Sequence, residues 1–214
     1  MKRIIASVCF IMVIGIGCIP ALFPSPPQLV TQEQLASRED FMPEPSQPKS
    51  EIPIHYNLPP EDSRRALRQI EYSMRNLDSF QRTAGPISPA RLQRAAKKAR
   101  LDGILITDCE LEHLKVLVAM NRPPVVILRS VVGGPHFWAI IGYDDDFEQF
   151  LLVNPLQNSA NRMMYDDFEL AWNAASNRRS CVIISARAIT PEQLRINLSR
   201  YLPEEMLMDL KIRD

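Results

Sequence analysis

The sequence predicts an α+β domain in which N-terminal helices pack on an antiparallel sheet. Two segments with helical periodicity come first, over about 63–77 and from Ser88. Three short strands then follow one another without a helix between them, over 125–128, 136–143 and 150–153. A last apolar strand, CVIIS, occupies 181–185. Consecutive strands joined by turns pair antiparallel, since a parallel pair needs a crossover.

The elements follow in chain order. Met1-Lys2-Arg3 and the apolar run 4–19 form a charged n-region and an h-region, the pattern of an export signal. The run is short for a membrane span, which takes roughly 20 residues. Residues 20–51 are rich in Pro, Ser, Gln and charge, and predict an extended tether. One globular domain is expected beyond it, with a core over 52–187 and a helical extension over 188–214.

In the first helix Ala66, Leu67, Ile70, Met74 and Leu77 form one stripe, with Asp62 or Ser63 as the expected N-cap. The second starts at Ser88, with Pro89 in its first turn, and is expected to end near Asp102-Gly103 before a buried strand over 104–106. Thr107-Asp108-Cys109-Glu110 has the form of a capping box and predicts a third helix over 110–120, stopped by Pro123-Pro124. Cys109 would then open that helix, and His113 would lie on its solvated face. Gly133-Gly134-Pro135 and Asp144-Asp145-Asp146 are turns, and 157–162 reads as a polar loop. A short helix over 168–175 places Trp172 inward. Thr190-Pro191-Glu192-Gln193 starts a C-terminal helix.

The chemistry-bearing residues sit where strands begin and end. His136 opens one strand and Asn154 closes the next, just before Pro155. In adjacent antiparallel strands the two can lie side by side, so that an amide orients an imidazole. Trp138 and Tyr143 suit either a cleft lining or the core.

The block HFWAIIGYDDD, followed by LLVNP, resembles the second half of a C39-like cysteine peptidase domain, a branch of the papain-like fold. The likeness covers roughly 52–187. It implies that His136 stands at the family's catalytic histidine and Asn154 at its orienting residue. The family's nucleophile lies in a Gln-x5-Cys-Gly-Pro segment that starts the first helix. This chain has no Cys-Gly-Pro, and the corresponding place is IPIHYNLPPEDSRRALRQIEYSMRN. There Asn57 falls near the oxyanion glutamine and Ser63 near the lost cysteine. A papain-like arrangement would aim the N-terminus of this helix at His136. A hydroxyl is a far weaker nucleophile than the thiolate such a site stabilises, so the resemblance implies the scaffold without its activity.

Four cysteines are present: Cys9, Cys18, Cys109 and Cys181. Gly17-Cys18 resembles a bacterial lipobox, which makes Cys18 the candidate lipidation site. Ile19 after it favours the outer membrane over the inner, and an uncleaved anchor or plain secretion are the alternatives. Cys109 and Cys181 are either buried thiols or a disulfide. No metal-ligand spacing or cofactor motif is found. Formal net charge is zero, from 25 Lys+Arg against 25 Asp+Glu, which offers no basic field for nucleic acid.

The functional expectation is therefore a bacterial cell-envelope protein, membrane-anchored or periplasmic. Its C39-like domain would be a catalytically inactive pseudopeptidase that binds a peptide or protein. One alternative is an active thiol hydrolase using Cys109, His136 and Asn154, in that chain order. The other is a structural envelope lipoprotein.

Overall fold

The computed structural model describes residues 49–81, 87–129, 134–157, 159–175 and 179–214, with side chains 76–81 left aside. The expected signal segment, Cys9, Cys18, nearly all of the expected tether and Gly133 of the Gly133–Pro135 turn lie outside the described residues. Pro48–Asp214 makes one compact unit.

The unit is built on an eight-stranded sheet. Its strands are β1 (His55–Asn57), β2 (Asp102–Thr107), β3 (Pro124–Arg129), β4 (Pro135–Asp144), β5 (Gln149–Asn154), β6 (Ser159–Met164), β7 (Cys181–Ser185) and β8 (Lys211–Arg213). The order is β6-β5-β4-β3-β7-β2-β8, with β1 beside the second half of β4. All pairings are antiparallel.

Helices cover both faces. On one face α1 (Pro60–Gln81) and α2 (Pro89–Lys98) bury Ile70, Met74, Leu92 and Ala96 against Val125, Ile127, Phe137 and Val182. The other face carries α3 (Leu111–Ala119), α4 (Tyr165–Ala174), α5 (Pro191–Ser199) and α6 (Glu204–Met208). They contribute Leu114, Leu117, Phe168, Trp172, Leu194 and Leu207 to a core with Val126, Ile140, Leu152 and Cys181. The near-continuous apolar runs of β3 and β7 follow from this, because both sides of those strands are covered. An antiparallel sheet with several helices agrees with the expected α+β class. The expectation of N-terminal helices on the sheet accounts for one of the two helical layers.

Several local expectations are corrected. α1 begins at Pro60, and the Ser63 N–H already donates to the Pro59 carbonyl at 2.9 Å, so Ser63 lies inside the helix and neither it nor Asp62 caps it. α2 is capped by Ser88 as expected but ends at Lys98, since Asp102 and Gly103 belong to β2. The cap of α3 is Glu110, not Thr107, because Thr107 ends β2 and Asp108 turns the chain at φ 63°. Cys109 therefore precedes the cap and packs with Leu114 in one buried cluster, as a hydrophobic staple does. The polar segment expected as a loop over 157–162 is largely strand β6, an edge strand exposed along most of its length. Exposure on both faces removes the apolar alternation by which a strand is read.

The capping box of α5 is as the sequence predicts: Gln193 N–H donates to Thr190 Oγ1 and Thr190 N–H to Gln193 Oε1, each at 3.1 Å. The segment after 188 does more than extend the domain. It adds β8 to the sheet beside β2, and Leu194, Leu198, Leu202 and Leu207 to the core.

Candidate functional site

His136 stands at the start of β4, opposite Leu128 in β3, and its ring is exposed. Directly paired residues share a face, so His136 lies on the face that carries α3–α6. Trp138, two residues on, lies on the same face, opposite Val126. Beyond them a groove of about 810 Å³ opens between the ends of β3 and β4, strand β6 and helix α4. Its apolar lining includes Trp138, Met163, Leu170 and Ala171, and its charges are Arg129, Arg162 and Asp167. Leu170 is 70% exposed and Met164 48%, so the rim offers apolar surface to solvent. Among the described residues, no thiol or hydroxyl lines the groove.

Asn154 ends β5. The pairing of Ala139 with Val153 places it next to Trp138, one step along the strand pair from His136 and on the same face. Its amide is already engaged: Oδ1 accepts the Leu156 N–H at 3.0 Å, closing an Asx turn ahead of β6. The side chain is 5% exposed. No hydrogen bond joins it to His136, whose ring has no partner among the described residues.

The Gly-Tyr-Asp-Asp block has structural reasons for its residues. A Cβ on Gly142 would lie 2.0 Å from Asn57 Oδ1 and 3.0 Å from the Tyr56 carbonyl oxygen, so a larger residue would displace the Asn57 side chain and crowd β1. Tyr143 is buried, and desolvation pushes its phenol up to about 12. Asp145 Oδ1 accepts the Tyr165 hydroxyl at 2.6 Å and meets Lys115 Nζ at 2.7 Å. Burial, then the bond to Asp145, raise the Tyr165 phenol strongly.

Ser63 does not share the His136 end of the sheet. The first turns of α1 border Pro123, Ile184 and Ser185, at the Pro124 end of β3. His136 pairs four residues further along that strand, about 13 Å away at the rise of an extended chain. The expected aim of this helix at His136 is thus corrected. Asn57, the oxyanion candidate, packs on Gly142 at the far end of β4.

Cys109 is 1% exposed. Its Sγ lies 3.8 Å from Cys181 Sγ, and both thiols are free. Burial first, then the bond to Cys181, hold its pKa well above the usual thiol value, the opposite of what a nucleophile needs. His113 is buried rather than solvated, at 1% exposure. Glu110 N–H donates to its Nδ1 at 3.0 Å, which leaves Nε2–H to donate to the Met206 carbonyl at 2.9 Å. The neutral ring thus ties the start of α3 to α6, and burial lowers its pKa. Among the described residues, no cluster of three or more His, Cys, Asp or Glu is placed to hold a metal, and no helix is long and apolar enough to cross a membrane.

The groove's other residues were not singled out from sequence. Arg129, Arg162, Met163 and Leu170 carry no motif, and two of them lie on β6, whose polar sequence predicts a loop. An exposed Leu170 on an amphipathic helix was the available signal.

No protein-family model and no curated protein matches the chain. Among solved structures the fold is similar to the peptidase domain of Streptococcus ComA, described as a bifunctional ABC transporter involved in a quorum-sensing pathway. The identity is 14% and the TM-score 0.36, over 46% of this chain and 66% of that domain.

Proposed function

We propose that this chain is a C39-like binding module, not a working peptidase, that holds an extended peptide or protein segment at a bacterial envelope membrane. One observation carries the binding half: His136 and Trp138 line an apolar groove in which no described residue supplies a nucleophile. The far placement of Ser63 and the burial of Cys109 count against hydrolysis. Strand β6 supports an extended ligand, because among the described residues it pairs with β5 alone, which leaves its outer edge for strand addition. The membrane half rests on the resemblance of Gly17-Cys18 to a lipobox.

The full chain, screened on an array of extended peptides, is expected to capture a subset without cutting them. Trp138→Ala should weaken the best of these by about tenfold or more, as loss of a buried aromatic anchor does. Mass spectrometry checks for cleavage. Peptide hydrolysis that disappears in His136→Ala would restore the enzyme. For the anchor, Cys18→Ser is expected to abolish acyl labelling and release the protein from membranes.

A further inference from the structure

A second cavity, of about 610 Å³, opens at the other end of the sheet, where α1, the α3–β3 turn and the chain after β7 meet. Arg65, Arg122 and Arg187 enter it from those three places, with Gln69, Asn121 and Ser185 between them. Asp62 is the one carboxylate among the described lining residues, and it stands 3.6 Å from Arg65. The guanidinium groups of Arg122 and Arg187 make no hydrogen bond or ion pair among the described residues. Burial lowers the Arg122 pKa, and Arg187 lowers it further, so the two cations feel each other. The Asp102 carboxylate acts on Arg122 in the opposite sense and more strongly than Arg187 does, and it keeps its charge while its Oδ2 accepts the Ile189 N–H at 3.0 Å.

The neutral side chains add donors. Asn121 Oδ1 accepts the Tyr56 hydroxyl at 2.6 Å, which leaves the amide N–H groups to donate. Ser185 Oγ accepts the Arg187 N–H at 3.1 Å, which leaves its own O–H to donate. A concave site with two unpaired guanidinium groups and donors in excess of acceptors suits an anion. A neutral or cationic guest would leave both guanidinium groups without an anionic partner at hydrogen-bond distance. Donors arriving from three elements match a tetrahedral oxyanion better than a planar carboxylate, which a single forked arginine satisfies. We propose that this cavity binds a phosphate-class oxyanion between Arg122 and Arg187, supplied either by a soluble phosphate ester or by a lipid headgroup.

The full chain is titrated with inorganic phosphate, against chloride at equal ionic strength, while Tm is followed. Phosphate is expected to raise Tm in a saturable way that chloride does not. Arg187→Gln, at an exposed position, should weaken the response by about tenfold or more, the worth of one charge-assisted hydrogen bond. The same substitution should leave Tm in chloride nearly unchanged, as an exposed one does, so that a lost phosphate response is not a loss of fold. Arg122→Gln is the second variant and should lose the phosphate response likewise. Equal Tm curves in the two salts, or a phosphate response that survives in Arg187→Gln, overturn the proposal. Glycerol phosphate and phosphatidic acid vesicles then separate the sources: vesicle binding that depends on Arg187 assigns a headgroup, and a response to glycerol phosphate alone assigns a soluble ester. The cavity lies away from the His136 groove, so failure here leaves peptide binding untouched, and the reverse.

Discussion

Around His113, the Glu110 N–H and the Met206 carbonyl occupy both ring nitrogens. Around His136, neither nitrogen meets a described partner, and the ring faces an open groove. Both histidines belong to the same helix-covered face of one sheet. The first is a structural joint between α3 and α6, packed among apolar side chains. The second has no described partner, and its exposed ring is open to solvent and to whatever the groove takes up. In this molecule, engagement of the ring nitrogens separates a histidine that builds the core from one that the proposed binding can use.

The largest expected effect tests that contrast directly. His113→Ala removes a buried ring and leaves two polar groups unpaired. It should cost about 2–4 kcal/mol in urea denaturation. His136→Ala should stay within about 0.5 kcal/mol of the parent, as an exposed substitution does. Similar losses at both positions would erase the distinction. The pH dependence sharpens it. Burial lowers the His113 pKa in the folded chain from its ordinary 6.5, an effect partly offset by Met206, Glu110 and Glu112. The unfolded chain therefore binds the proton more readily. The stability contributed by the neutral ring is full above pH 6.5 and is lost as pH falls from there toward the folded pKa. His113→Gln should flatten that part of the stability–pH curve.

The contrast also marks what the sequence could and could not disclose. The hairpins around β3, β4 and β5 were legible because β-branched runs and Gly or Asp turns are local signals. So were the caps at Ser88 and Thr190, where hydroxyl and following proline suffice. His113 was misread because its helix alone suggests a wet face. What buries it is α6, 93 residues away along the chain. Strand β6 was missed because an edge strand needs only a backbone partner, and β5 supplies it. The GYDD block was read as a site signature, yet its glycine and second aspartate are held by packing on Asn57 and by bonds to Tyr165 and Lys115. Long-range partners, not local pattern, decide all three.

Cys109 supplies a test of intermediate size. It sits one residue before the cap of α3, close in sequence to His113, and shares that buried environment. Iodoacetamide near pH 7 should label it about a hundredfold more slowly than in the urea-unfolded chain, because only opened molecules expose the thiol. The rate should be unchanged in His136→Ala. Fast labelling that needs His136 would move Cys109 from the joint to the groove and reverse the comparison.

The smallest effect concerns whether Asn154 belongs to the groove or to the turn that ends β5. Its Oδ1 is spent on the Leu156 N–H, so Asn154→Ala should cost about 1 kcal/mol, the net worth of one hydrogen bond. Asn154→Asp keeps the acceptor and should lose less. If the side chain serves the turn alone, the cost of Asn154→Ala is the same whether or not His136 is present. A double-mutant cycle with His136→Ala should then close to within about 0.5 kcal/mol. A coupling above about 1 kcal/mol would mean that amide and imidazole meet in solution. His136 would then be an oriented ring in a surviving dyad, and the groove would be closer to a peptidase cleft than its free histidine suggests.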